Sequence, residues 1–105
     1  MSLIGNPPHP GEVLEELYMV PLGLSAGSLA DALDVPRTRI ERVVRGQTAL
    51  SVDTALRLAR YFGTSAEVWT GMQTAYDLRR IEREKEETLA RIVPMPKDAS
   101  ASASF

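Results

Sequence analysis

Residues 24–46 read LSAGSLADALDVPRTRIERVVRG, and the apolar positions in this stretch decide the fold. Leu24 stands before Ser25, a hydrophobic residue ahead of an N-cap, so a helix opens there and turns Leu29, Ala30 and Leu33 to one side. A second helix runs from about Pro36 to Arg45, with Ile40, Val43 and Val44 at i, i+3 and i+4, and Gly46 stops it. Val35 plugs the turn between them, and Ala30 is small where two steeply crossed helices must approach closely. Asp34 falls where the turn calls for a left-handed residue, a conformation that Asp tolerates better than most non-glycine residues. Two helices joined in this way form a helix-turn-helix, whose second helix enters the DNA major groove.

The outer face of that second helix follows from its period of about 100° per residue. With Ile40, Val43 and Val44 inward, Thr38, Arg42 and Arg45 point away from the core, Arg39 and Glu41 flank them, and Arg37 projects from the N-terminal end. Arginine pairs bidentately with guanine O6 and N7, and threonine touches a thymine methyl. Arg37, Thr38, Arg39 and Arg42 are therefore the expected base contacts. Arg45, Gln47, Thr48 and Ser51 are the expected phosphate contacts, because the loop after the helix brings side-chain and backbone donors to the DNA backbone. Glu41 has two readings: it can accept from cytosine N4, or pair with Arg37 and Arg45 at i, i+4 spacing.

Working outward, Pro10 suits a first helical position and Glu12 a first turn. Val13, Leu14, Leu17 and Tyr18 recur at helical spacing, and Pro21 is expected to end this first helix by about Met19. Ser51 caps a fourth helix carrying Ala55, Leu56, Ala59 and Phe62, which Gly63 ends. Thr64-x-x-Glu67 has the form of a capping box that opens a longer fifth helix lined by Trp69, Met72 and Tyr76. A stripe at that spacing reads as core or dimer interface before it reads as a ligand site, with Trp69 as a partly buried interface anchor. Farther along, Arg80/Glu84 and Arg83/Glu87 are spaced to pair. The predicted organisation is a lead-in over 1–8, an all-α helix-turn-helix domain over 9–92 with its motif at about 26–45, and a disordered Pro, Ala and Ser tail over 93–105.

Composition bounds the remaining possibilities. A chain of 105 residues has room for one domain, and the absence of cysteine excludes disulfides, thiolate metal sites and cysteine nucleophiles. The start carries neither the positive region nor the apolar run of a secretory signal, and no stretch approaches a membrane span, so a cytoplasmic protein is expected. The net charge of −2 hides an uneven distribution. Residues 1–34 hold five acids and no lysine or arginine, whereas residues 35–63 hold six arginines against Glu41 and Asp53. A basic cluster inside an acidic chain suits a focused phosphate-binding face. His9, alone of its type, sits in a proline-rich lead-in and reads as a cap or surface residue. Glu12, Glu15 and Glu16 have no base, metal partner or phosphate loop near them, so neither catalysis, a metal nor a cofactor is expected.

The stretches HPGEVLEE, PLGLS, VPRTRIERVVRG, DTALRLARYFGTSAEVW and QTAYDL carry a resemblance over about two thirds of the chain, from His9 to Tyr76. The sequence resembles the HigA-type antitoxins, small members of the Cro/C1-type helix-turn-helix class. That resemblance implies a compact, lambda-repressor-like five-helix domain acting as a homodimer. It further implies repression of its own toxin–antitoxin operon by binding operator DNA, and binding and neutralisation of a HigB-type ribonuclease toxin. The alternative is a stand-alone Cro/C1-type regulator without a toxin. Glu41-Arg42 stands where relatives often carry Asn-Glu, which implies a different operator sequence. The acidic first helix and the charged segment Arg79–Arg91 are the surfaces expected to meet protein partners.

Overall fold

In the computed structural model the described residues are 6–96, so residues 1–5 of the expected lead-in and 97–105 of the expected tail lie outside them. His9 opens the first helical run: its side chain accepts the Gly11 N–H at 2.9 Å, and Pro10 takes the first helical position. The run comprises α1 (Pro10–Val13), a π-helical segment (Leu14–Met19) and α2 (Val20–Leu22). Pro21 does not end it near Met19 as expected, because the wider π turn relieves the clash of the proline ring with the preceding turn. Gly23 ends it instead, at φ 64°, with the Leu24 amide donating to the Met19 carbonyl at 2.8 Å. The π segment buries both Leu14 and Met19 in the core and leaves Leu17 58% exposed.

The helix-turn-helix consists of α3 (Ala26–Leu33) and α4 (Arg37–Val44). Ser25 and Ser28 form a reciprocal capping box at the start of α3. Asp34 turns the chain at φ 58° and ψ 49°, in the left-handed region its position calls for. Leu29, Ala30, Leu33, Ile40 and Val43 are buried together, with Val35 and Val44 packed on them. Gly11 presses α1 onto the C-terminal end of α4 so closely that a Cβ there would lie 1.9 Å from the Val43 carbonyl oxygen.

Ser51 caps α5 (Val52–Phe62) through the Thr54 amide, and Gly63 ends that helix at φ 72°. The cap of α6 (Ala66–Glu84) is Ser65, which accepts from the Val68 amide, and not Thr64. The Thr64 hydroxyl has other employment, accepting the indole N–H of Trp69 at 2.9 Å. Trp69 is 0% exposed, packed beside Tyr18, and so belongs to the core and not to an interface. Tyr18 also stacks at 4.6 Å on Phe62, closing the core over α5. Leu56 faces outward at 58% exposure. Beyond Lys85 the fifth helix breaks and resumes as α7 (Glu86–Ala90). That break takes Glu87 out of phase with Arg83, whose guanidinium meets Asn6 instead, whereas Arg80 pairs with Glu84 at 3.4 Å. No helix among the described residues is long and apolar enough to cross a membrane.

Candidate nucleic-acid interface

The outward face of α4 is built by its own packing. Ile40 and Val43 are buried, and this rotation exposes Arg37, Thr38 and Arg42, with Arg45 exposed at the C-cap. Two residues flank the face, and each is paired. On one side Glu41 meets Arg37 at 3.5 Å, one turn apart, which is the ion-pair reading of Glu41. On the other side Arg39 donates to Asp53 Oδ2 at 2.6 Å. Among the described residues, no ion pair includes Arg42 or Arg45.

Asp53 lies in the first turn of α5 and its Oδ2 also accepts from Arg57 Nε at 2.9 Å. The hydrogen bonds from Arg57 and then Arg39 hold the Asp53 carboxyl below its ordinary pKa. Arg57 reaches past it to the carbonyls of Leu33 at 2.8 Å and Asp34 at 3.3 Å. One guanidinium thus satisfies the open C-terminal end of α3 and anchors the acid that holds Arg39.

The loop after α4 holds Gln47 and Thr48, both exposed, and three ties fix its path. The Gln47 amide donates to the Arg42 carbonyl at 2.9 Å, with Gly46 at φ 70° making the bend. His9 Nε2 reaches the Thr48 carbonyl at 3.1 Å. Gln73, buried on α6, accepts the Leu50 amide at 2.8 Å and donates to Asp77 at 3.0 Å. The Ser51 hydroxyl is already committed to capping α5. The i, i+4 spacing of Asp53 and Arg57 is the one local signal for that pair, and no local signal marks Gln73, whose partner amide is 23 residues away.

Other sites are poorly furnished. A cleft of about 600 Å³ lies among His9, Glu12, Glu16, Val44, Arg45 and Tyr76, with Tyr76 edge-on to the His9 ring at 5.0 Å. Trp69 and Met72 take no part in it, being core and core-packed. Among the described residues no group of His, Asp and Glu is placed to hold a metal ion.

Comparison with known proteins matches this geometry. The helix-turn-helix family profile fits residues 14–69, which contain both α3 and α4. Virulence-associated protein I of Dichelobacter nodosus is 52% identical over 91 residues, covering 87% of this chain and 83% of that protein. Antitoxin HigA-1 of Vibrio cholerae is 32% identical over 73 residues, covering 70% of this chain and 69% of that protein. The solved Pseudomonas aeruginosa antitoxin HigA with the higBA promoter superposes with a TM-score of 0.83 at 35% identity, covering 87% of this chain and 100% of that one. The helix-turn-helix family matched here is one of DNA-binding regulators and antitoxins, not of enzymes. A basic outward helix on this scaffold, matched over most of the chain by such proteins, makes this a DNA-binding member of the Cro/C1-type helix-turn-helix family, of the HigA antitoxin type.

Proposed function

We propose that this protein represses its own toxin–antitoxin operon and neutralises a ribonuclease toxin of the HigB type. The observation that carries the DNA half is the outward face of α4, where Thr38, Arg42 and Arg45 stand exposed while Ile40 and Val43 anchor the helix. Thr38 and Arg42 read base edges, with Arg37 at the groove entrance. Arg45 and the Gln47–Thr48 loop meet phosphate, and Ser51 contributes its backbone because its hydroxyl is engaged. Arg39 stands at the edge of the face with its guanidinium paired to Asp53.

A second copy completes the reader. Val52 and Leu56 lie one turn apart on α5 at 65% and 58% exposure, and Leu56 shares a surface groove with Ala32 and Asp53. This apolar strip borders the Asp53–Arg39 contact, so two copies docked there about a two-fold axis keep both α4 helices on one side. They then enter successive major grooves about 34 Å apart on a palindromic operator. The toxin half rests on charge: Glu12, Glu15 and Glu16 are all exposed on one helical run and suit a basic partner.

The deciding experiment measures binding to the duplex immediately upstream of the gene and to a scrambled duplex, at two salt concentrations. Preferential binding to the operator whose affinity falls steeply with salt supports the repressor, and equal weak binding to both duplexes overturns it. Lysine at positions 12, 15 and 16 should weaken toxin binding and spare DNA binding. Unchanged toxin affinity defeats the charge argument, and absence of any small basic reading frame beside the gene favours the stand-alone regulator.

A further inference from the structure

We infer that Asp53 is a specificity-determining residue: it withholds Arg39 from DNA and so confines the positive face of α4 to its central side chains. The inference rests on the DNA-binding reading of α4. Arg39 lies on the flank of that helix nearest α5, and its Nη1 is 2.6 Å from Asp53 Oδ2. The same oxygen receives Arg57 Nε at 2.9 Å. Arg57 is itself fixed on the Leu33 and Asp34 carbonyls, so the acid is held by a group attached to the turn of the helix-turn-helix. Asp53 therefore sits where the turn sets it, and Arg39 follows Asp53.

The arrangement has a plainer explanation, in which Asp53 serves only the N-terminal dipole of α5. That role needs no arginine from another helix. Nor is stability a sufficient reason for the contact, because both partners are at the surface, with side chains 39% and 55% exposed, and exposed ion pairs contribute little. The consequence for DNA is larger. A free arginine at the rim of a recognition helix reaches any phosphate, adding affinity for every sequence and discrimination for none. An arginine already neutralised adds neither. Asp53 thus lowers binding to non-operator DNA while leaving the centre of the face, Thr38 and Arg42, to read bases.

The test uses the full chain as three variants, Asp53→Asn, Arg39→Gln and the double substitution, titrated against the operator and a scrambled duplex over a range of salt. Asp53→Asn keeps size and polarity at an exposed site. It should tighten binding to the scrambled duplex several-fold, steepen the salt dependence by about one counterion, and reduce the ratio between operator and scrambled duplex. Arg39→Gln alone should leave both affinities within about twofold of the wild type, a change worth roughly 0.4 kcal/mol, well below a lost base contact. The double variant should behave like Arg39→Gln. Unchanged scrambled-duplex binding in Asp53→Asn overturns the inference. So does an equal gain in the double variant, which would mean that the acid repels phosphate directly. A loss of tenfold or more in operator affinity for Arg39→Gln also overturns it, because Arg39 would then be reading DNA. If the wild type shows no operator preference, the repressor reading fails, and the effect of Asp53→Asn on scrambled-duplex affinity still decides the role of Asp53.

Discussion

The His9 imidazole and the Thr48 carbonyl lie 3.1 Å apart, joining points 39 residues distant in sequence. Because Nδ1 accepts the Gly11 amide at 2.9 Å, the ring proton is on Nε2 and is donated to Thr48. A single side chain therefore caps the first helix and holds the loop that follows the recognition helix.

His9→Ala removes both bonds. It should lower the free energy of unfolding by about 1–2 kcal/mol, the scale of a lost N-cap, and also weaken operator binding by loosening the Gln47–Thr48 loop. Urea unfolding and a DNA titration on the same preparation check it. Unaltered stability would remove His9 from this role.

Gln73 is buried, and its Oε1 is the acceptor for the Leu50 amide at 2.8 Å. Leucine at 73 is close in size and offers no acceptor, so an unpaired buried N–H remains. The expected loss is about 1–3 kcal/mol. Glutamate also accepts at Leu50 but sets a carboxylate against Asp77, to which Gln73 Nε2 donates at 3.0 Å, so it is compared in an Asp77→Asn background. There it should lose less than leucine does, and the reverse order in thermal melts would refute the assignment.

At Gly11 a methyl group would lie 1.9 Å from the Val43 oxygen. Gly11→Ala must push α1 off the end of α4, at a cost of about 1–3 kcal/mol or more. Gly71 meets no neighbour within 4 Å, so alanine there serves as the control and should be neutral to slightly stabilising. Equal melting points for the two variants would contradict the close approach of the helices.

The Asp53 carboxyl is held below its ordinary value by Arg57 first and Arg39 second. A depressed carboxyl stabilises the fold when ionised: the contribution is full above the unfolded pKa and is lost as pH falls through the lower folded value. The difference in urea midpoint between wild type and Asp53→Asn should therefore be constant near neutrality and shrink under strongly acidic conditions. A difference that grows on acidification would reverse the assigned sign.

Arg42→Ala separates base reading from phosphate contact. If Arg42 pairs with guanine, operator binding should lose about 1–3 kcal/mol and discrimination at one base pair should relax. A uniform loss on all duplexes with a shallower salt slope would assign Arg42 to phosphate instead.

Much of the fold is legible in local pattern. The spacing of Leu29, Ala30 and Leu33 against Ile40, Val43 and Val44 places α3 and α4, and Ser25, Ser51 and Gly63 mark ends that the structure reproduces. What was missed depends on distant partners. Whether Met19 bonds four or five residues back is decided by which side chain the core admits, and Pro21 alone does not settle it. Thr64 looks like a cap until Trp69 claims its hydroxyl. The outward face of α4 follows from helical period, but the pairing of Arg39 with Asp53, 14 residues away, depends on how α5 docks. Gln73 reads as one more polar helix residue because its partner amide is 23 positions away.

Trp69 has a practical consequence. It is the sole tryptophan of the chain, 0% exposed, with its indole N–H bonded to Thr64 and Tyr18 at 5.3 Å. Its emission is a built-in optical gauge of whether the interior is assembled. Lying in the core and not on the outward surface of α4, it should stay blue-shifted and nearly constant as DNA is added, and shift to the red when the helices separate. One fluorescence channel can thus follow folding in the presence of operator, leaving anisotropy of labelled DNA to follow binding.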